Sequence, residues 1–150
     1  MTSRAFEDFP AGAEFDLGTH RVGKDEIIAF AREFDPQPFH LDEEAGRNSL
    51  LGGLAASGWY TCSLLMRMTY DALLHNTRSL GSPGVDRLKW VRPVLAGDTV
   101  RARVHIVSAR VSRSRPDMGI ALCRFEMHNQ NEELVLIQET SLLVERRGSA

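Results

Sequence analysis

The stretch "SGWYTCSLLMRMTYDALL", residues 57–74, decides the fold. Ser57 is a good helix N-cap, and beyond it the polar positions reduce to Thr61, Ser63, Arg67, Thr69 and Asp71. A helix so apolar around most of its circumference has to be wrapped by other structure. Arg67 and Asp71 stand i, i+4 and read as an ion pair on its one wet edge. They also interrupt the run, and nowhere does the chain approach the roughly 18 uncharged apolar residues that a membrane span requires.

What wraps this helix is predicted to be sheet. C-terminal to it, "TVRARVHIV" (99–107) alternates Val100, Ala102, Val104 and Ile106 with Arg101, Arg103 and His105, a pattern of one buried and one wet face that suits antiparallel pairing. "RLKWV", "GIALCRFEMH" and "ELVLIQETSLLVE" read as further strands, separated by the turn-rich "RPVLAGD", "SRSRPDM" and "NQNEE". On the N-terminal side, "AEFDLGTHRV" reads as a first strand ended by Gly23. In "KDEIIAFAREF", Ile27, Phe30, Ala31 and Phe34 fall on one helical face expected to be buried. The order strand, helices, strands is α+β, and a curved antiparallel sheet around one long apolar helix is the hot-dog arrangement. At 150 residues the chain is predicted to be one such domain, 1–150.

Between the first helix and the central one lies "EFDPQPFHLDEEAGR", residues 33–47. Pro36 disfavours helical geometry at Asp35 and so ends the first helix there, and Pro38 does the same to Gln37. Asp42, followed by Glu43 and Glu44, starts a short second helix. His40 is thus caught between two elements. Taken alone, Asp35 reads as a turn residue and His40 as a structural histidine. A fully extended segment would hold their Cα atoms about 15 Å apart, so any joint chemistry requires a bend, which Asp-Pro favours.

These features together resemble the MaoC-like dehydratase family, which includes the (R)-specific enoyl-CoA hydratases. The resemblance spans nearly the whole chain. It rests on Asp35, Pro38 and His40, on Gly58 opening the central helix after a glycine-rich link, and on "VRPVLAGDTV" (91–100). It implies a hot-dog fold and reversible hydration of a trans-2-enoyl-CoA to an (R)-3-hydroxyacyl-CoA. Asp35 and His40 would be the catalytic pair, the Gly58 amide the oxyanion donor, and Ser63 a serine facing the site. Gln37 stands where the family usually has Asn, Ser57 where it often has His, Phe39 where Leu or Ile is common and Trp59 where Met is common. A different acyl group is implied by these departures.

The chemistry suits those residue types. Imidazole exchanges protons near neutrality, and a carboxylate orients water or takes its proton, the more readily if burial raises its pKa. Which of the two takes the first proton is not legible here. The first amides of a helix lack internal partners and carry partial positive charge, so Gly58 suits a developing oxyanion. Coenzyme A carries phosphates, and Arg110, Arg113 and Arg115 in "ARVSRSRP" offer cations near a hairpin turn. Two rivals remain: a hot-dog acyl-CoA thioesterase, and an acyl-CoA-binding subunit without turnover.

Composition narrows the partners. A formal charge of −2 with 25% charged residues gives no basic excess for nucleic acid or anionic lipid. Cys62 and Cys123 lie in apolar segments without CxxC spacing and read as buried small side chains, so neither a disulfide nor a metal pair is predicted. The remaining histidines show no ligand spacing and no glycine loop has a nucleotide-binding context, so no cofactor or metal is expected beyond the coenzyme A thioester as substrate. The N-terminus carries no secretory pattern, from which a cytoplasmic location is expected. The fold implies a homodimer or a dimer of dimers.

Overall fold

Four alternating residues, Val100, Ala102, Val104 and Ile106, are all buried, and they line the floor on which the molecule is built. They belong to β4 (Thr99–Val111), which pairs with β1 (Glu14–Arg21) on one side and β5 (Met118–His128) on the other, both antiparallel. Val104 stands opposite Phe15 in β1 and Phe125 in β5, so one apolar row crosses three strands. β6 (Leu134–Glu145) follows β5, and the sheet is completed along β6 by β3 (Val85–Trp90) and β2 (Ser79–Gly81). The computed structural model describes residues 2–148.

Three helices precede most of this sheet: α1 (Lys24–Phe34), α2 (Glu43–Arg47) and α3 (Gly58–Ala72). α3 lies on the apolar face of the sheet. Leu64, Leu65 and Met68 join the same core as Val104, Cys123, Phe125, Val135 and Leu136. Irregular register between Asp16 and Thr19 and between Ile106 and Ser108 marks where strands bend, as bulges do, to follow the helix. This is the hot-dog arrangement expected from the pattern of strands around one helix.

Three features differ from the sequence reading. β2 was not foreseen because its three residues are all exposed, leaving no alternation to read. Phe34 is exposed rather than buried: it caps the ring of Phe30 at 5.2 Å, while only Ile27 and Ala31 of its helix face are fully covered. α1 is therefore docked by its first turns and overhangs at its last. α3 is covered on one side only. Thr61, Leu64, Leu65, Met68 and Thr69 are buried, whereas Trp59, Met66 and Tyr70 on the opposite stripe are half exposed or more. Among the described residues β3 pairs only with β6, which leaves its other edge open and exposes Val85 and Trp90 beside that stripe. Among the described residues no helix is long and apolar enough to cross a membrane.

Candidate active site

Asp35 is the C-cap of α1, its N–H bonded to the Ala31 carbonyl at 2.9 Å. The two prolines then fold the chain rather than extending it. The Gln37 N–H donates to the Asp35 carbonyl at 2.8 Å, and Pro38 opens a single 3-10 turn, Pro38–His40, closed by the His40 N–H on the Gln37 carbonyl at 3.0 Å. Proline suits the first position of such a turn because it has no N–H to leave unpaired. This is the bend that joint chemistry requires, and it brings His40 Nε2 to 3.3 Å from Asp35 Oδ2.

The imidazole is fixed from behind. His40 is buried, and its Nδ1 lies 2.6 Å from the Ala55 carbonyl oxygen. A carbonyl only accepts, so Nδ1 carries the hydrogen and Nε2 is the atom turned toward Asp35. Ala55 is itself held, its N–H donating to the Phe39 carbonyl at 3.1 Å, while the next N–H, of Ala56, donates to Val94 at 2.8 Å. The 54–56 segment is thereby stitched between the 3-10 turn and the loop before β4. Close approach also fixes the glycine-rich link. A Cβ on Gly46 of α2 would meet the Gly53 carbonyl oxygen at 2.4 Å, so no larger residue fits there.

Asp35 is stabilised as a carboxylate, its pKa being lowered on balance. Burial does push it up, but the Gln37 side-chain amide, donating from Nε2 to Oδ1 at 2.7 Å, the Ser57 hydroxyl and the charge of His40 together bring it below the ordinary aspartate value. Gln37, the departure from the family's Asn, is thus a direct partner of Asp35. Replacing Gln37 by Leu removes the first of these donors, so the Asp35 carboxyl is expected to titrate at higher pH in Gln37→Leu than in the wild type. Carbon-13 NMR titration of the side-chain carboxyl measures it; an unmoved midpoint would assign the effect to Ser57 and His40 alone.

Gly58 opens α3, and its N–H has no acceptor among the described residues. The Ser57 hydroxyl caps the next amide, accepting from Trp59 N at 3.3 Å. A Cβ at position 58 would lie 2.3 Å from the Trp90 indole, so glycine is required for Trp90 to close over the helix start. Trp90 also meets Trp59 edge to face at 5.0 Å. Asp35, Gln37, His40, Ser57, Gly58 and Arg92 share one pocket of about 390 Å³, walled by apolar side chains including Phe39, Trp59, Trp90 and Val94. The residues that carry a carboxylate, an imidazole and a helix-terminal amide therefore line one space. Groups of these types move protons and stabilise oxyanions in general.

Other residues singled out from the sequence lie elsewhere. Ser63 bonds back to the Trp59 carbonyl at 2.8 Å and lines a separate depression with His20, Tyr60 and Arg67. Five residues at about 100° each carry it about 140° round the helix from Gly58, which turns it away from the pocket. Arg110, Arg113 and Arg115 are exposed at the β4–β5 hairpin, and Arg115 pairs with Asp117 at 3.1 Å. That hairpin ends a 13-residue strand whose start adjoins the pocket loop, so within one chain these arginines stand at the opposite end of the sheet. Conversely, sequence reasoning missed Ser57 as a partner of Asp35, Trp90 as the cover of Gly58, and Arg92 as a pocket cation. Only Ser57 carried a signal, its adjacency to Gly58.

Comparison with known proteins agrees with this fold. Residues 8–121 match the family described as MaoC like domain. The crystal structure of the MaoC-like dehydratase from Rhodospirillum rubrum is 40% identical, with a TM-score of 0.89 covering 97% of this chain and 99% of that one. The HadBC (3R-hydroxyacyl-ACP dehydratase) complex from Mycobacterium tuberculosis is 25% identical, with a TM-score of 0.68 over 89% of this chain and 96% of that one. The uncharacterized protein YdeM of Bacillus subtilis is 27% identical over 140 residues, 93% of this chain and 98% of its own length. On the family match and the 40% identity over nearly the full length of both chains, this chain belongs to the MaoC-like dehydratase family.

Proposed function

We propose that the protein is a hydro-lyase that interconverts a trans-2-enoyl-CoA and an (R)-3-hydroxyacyl-CoA. The observation that carries this reading is His40 Nε2 at 3.3 Å from Asp35 Oδ2, in the same pocket as the unpaired Gly58 N–H. Support comes also from two relatives, one described as a MaoC-like dehydratase and the other as a dehydratase of 3R-hydroxyacyl-ACP. In the hydration direction a water held by the Asp35–His40 pair gives its oxygen to C3 while its proton passes to the pair. The pair returns a proton to C2, so the sum is water added across the double bond. The negative charge that develops on the thioester oxygen is met by the Gly58 N–H, an interaction worth about 2.7 to 4 kcal/mol of barrier where such donors have been removed. No metal or redox group enters this scheme.

The test is to follow the conjugated thioester's absorbance with enoyl-CoA substrates of short, long, branched and dicarboxylic chains. Loss of absorbance without thiol release is expected; release of free thiol would favour the thioesterase reading, and tight binding without either change a binding subunit. The same proposal includes a homodimer or a dimer of dimers, since the open edge of β3 and the exposed Trp59, Met66, Tyr70 and Val85 form one apolar margin of the kind a second chain covers. Light scattering is expected to give two or four chain masses, and a purely monomeric solution would remove this part.

A further inference from the structure

We propose that Arg92 is the point at which the protein recognises an oxyanion carried by its substrate, a phosphate or a carboxylate, at the Asp35–His40 pocket. This rests on the reading of the site as one for acyl thioesters. Among the described residues that line that pocket, Arg92 is the one Lys or Arg. The pocket's other polar groups are the Asp35 carboxylate, the His40 imidazole that pairs with it, and uncharged side chains. The hairpin arginines, at the other end of the sheet, do not fill this role within the same chain.

Arg92 is anchored at its backbone and held at its tip by one solvated ion pair. The Val91 and Arg92 N–H groups both reach the Val135 carbonyl, at 2.9 and 3.4 Å, and Pro93 stiffens the following bond. The guanidinium meets one carboxylate, Nη1 to Glu133 Oε2 at 3.4 Å, with 54% and 38% of the two side chains exposed. A solvated pair of this kind is weak and readily exchanged. Glu133 does not depend on it, because Asn129 Nδ2 donates to Glu133 Oε1 at 3.1 Å and Asn129 Oδ1 accepts from the Glu133 N–H at 3.1 Å. Arg92 can therefore leave Glu133 without unmaking the turn. Its planar fork, with five N–H donors, matches carboxylate and phosphate oxygens better than any other side chain. Glu133, itself outside the pocket lining, then acts as a placeholder for the guanidinium and competes with the ligand.

Both tryptophans of the chain, Trp59 and Trp90, line the pocket, so binding is readable by intrinsic fluorescence without turnover. The probes are coenzyme A, pantetheine, which lacks the phosphates, and succinyl-pantetheine, which carries a carboxylate instead. Arg92→Gln is expected to weaken coenzyme A or succinyl-pantetheine by about tenfold or more and leave pantetheine unchanged. The probe that weakens identifies the anion as phosphate or carboxylate. Glu133→Gln, which removes the competitor, is expected to tighten that same probe. An Arg92→Gln protein that binds all three as the wild type does, or that loses pantetheine to the same extent, overturns the proposal. Because the readout is binding, its failure is distinct from failure of the hydration assay.

Discussion

His40→Ala is expected to lower kcat/KM for enoyl-thioester hydration by about 10³-fold, within the range that positioned acid–base groups contribute. That factor corresponds to about 4 kcal/mol of barrier. The loss follows from the roles of the two ring nitrogens. Nδ1 is committed to the Ala55 carbonyl, so Nε2, at 3.3 Å from Asp35 Oδ2, is the atom left to exchange a proton with a bound water. Alanine removes both. Losing the Nδ1 donor leaves the Ala55 carbonyl short of a partner, at a cost of about 1–3 kcal/mol unless water enters the vacated space. A domain of ordinary stability, about 5–15 kcal/mol, stays folded with that loss. Thermal melting separates the two effects, since a rate collapse with a modest fall in Tm is expected. A folded variant working within a factor of about ten of the wild type would remove His40 from the reaction.

Asp35→Asn is expected to cost about 10²–10⁴-fold in kcat while KM changes little, because in the proposed scheme the carboxylate acts on the water and not on the thioester. Asn is nearly isosteric but carries no charge, and the Gln37 amide then meets an amide oxygen in place of a carboxylate. Stability should move in a defined sense with pH. The Asp35 pKa is depressed in the folded protein, so its contribution to stability is fully present above the unfolded value, about 3.9, and is lost as pH falls through the lower folded value. Between about pH 5 and pH 2 the wild type should therefore lose more Tm than Asp35→Asn does. Identical acid profiles would show that Gln37, Ser57 and His40 do not hold the carboxylate as described.

The parts of this protein legible in its sequence are those set by local rules. Alternation over Val100–Ile106 and the N-cap at Ser57 placed β4 and α3, because period and capping depend on near neighbours. The two prolines likewise ended α1 at Asp35 and opened the turn at His40. β2 escaped because three exposed residues carry no period, and Phe34 was misplaced because periodicity marks a face but not how far along it the neighbouring helix reaches. Ser63 could have been turned away from the site by helical geometry alone. The resemblance to known hydratases had assigned it inward.

By itself, then, the sequence determined that an Asp and a His flank a proline turn ahead of a glycine-headed apolar helix. Tertiary structure alone decided what those groups do to one another. Ala55, fifteen residues past His40, selects which imidazole nitrogen faces Asp35. Gln37, Ser57 and His40 together set the sign of the Asp35 shift, which burial taken alone would have given the other way. Trp90 comes from a strand far along the chain to close over Gly58, and Arg92 comes with it. Tautomer, pKa and pocket shape are sums over groups brought close by folding, and no local rule carries such a sum.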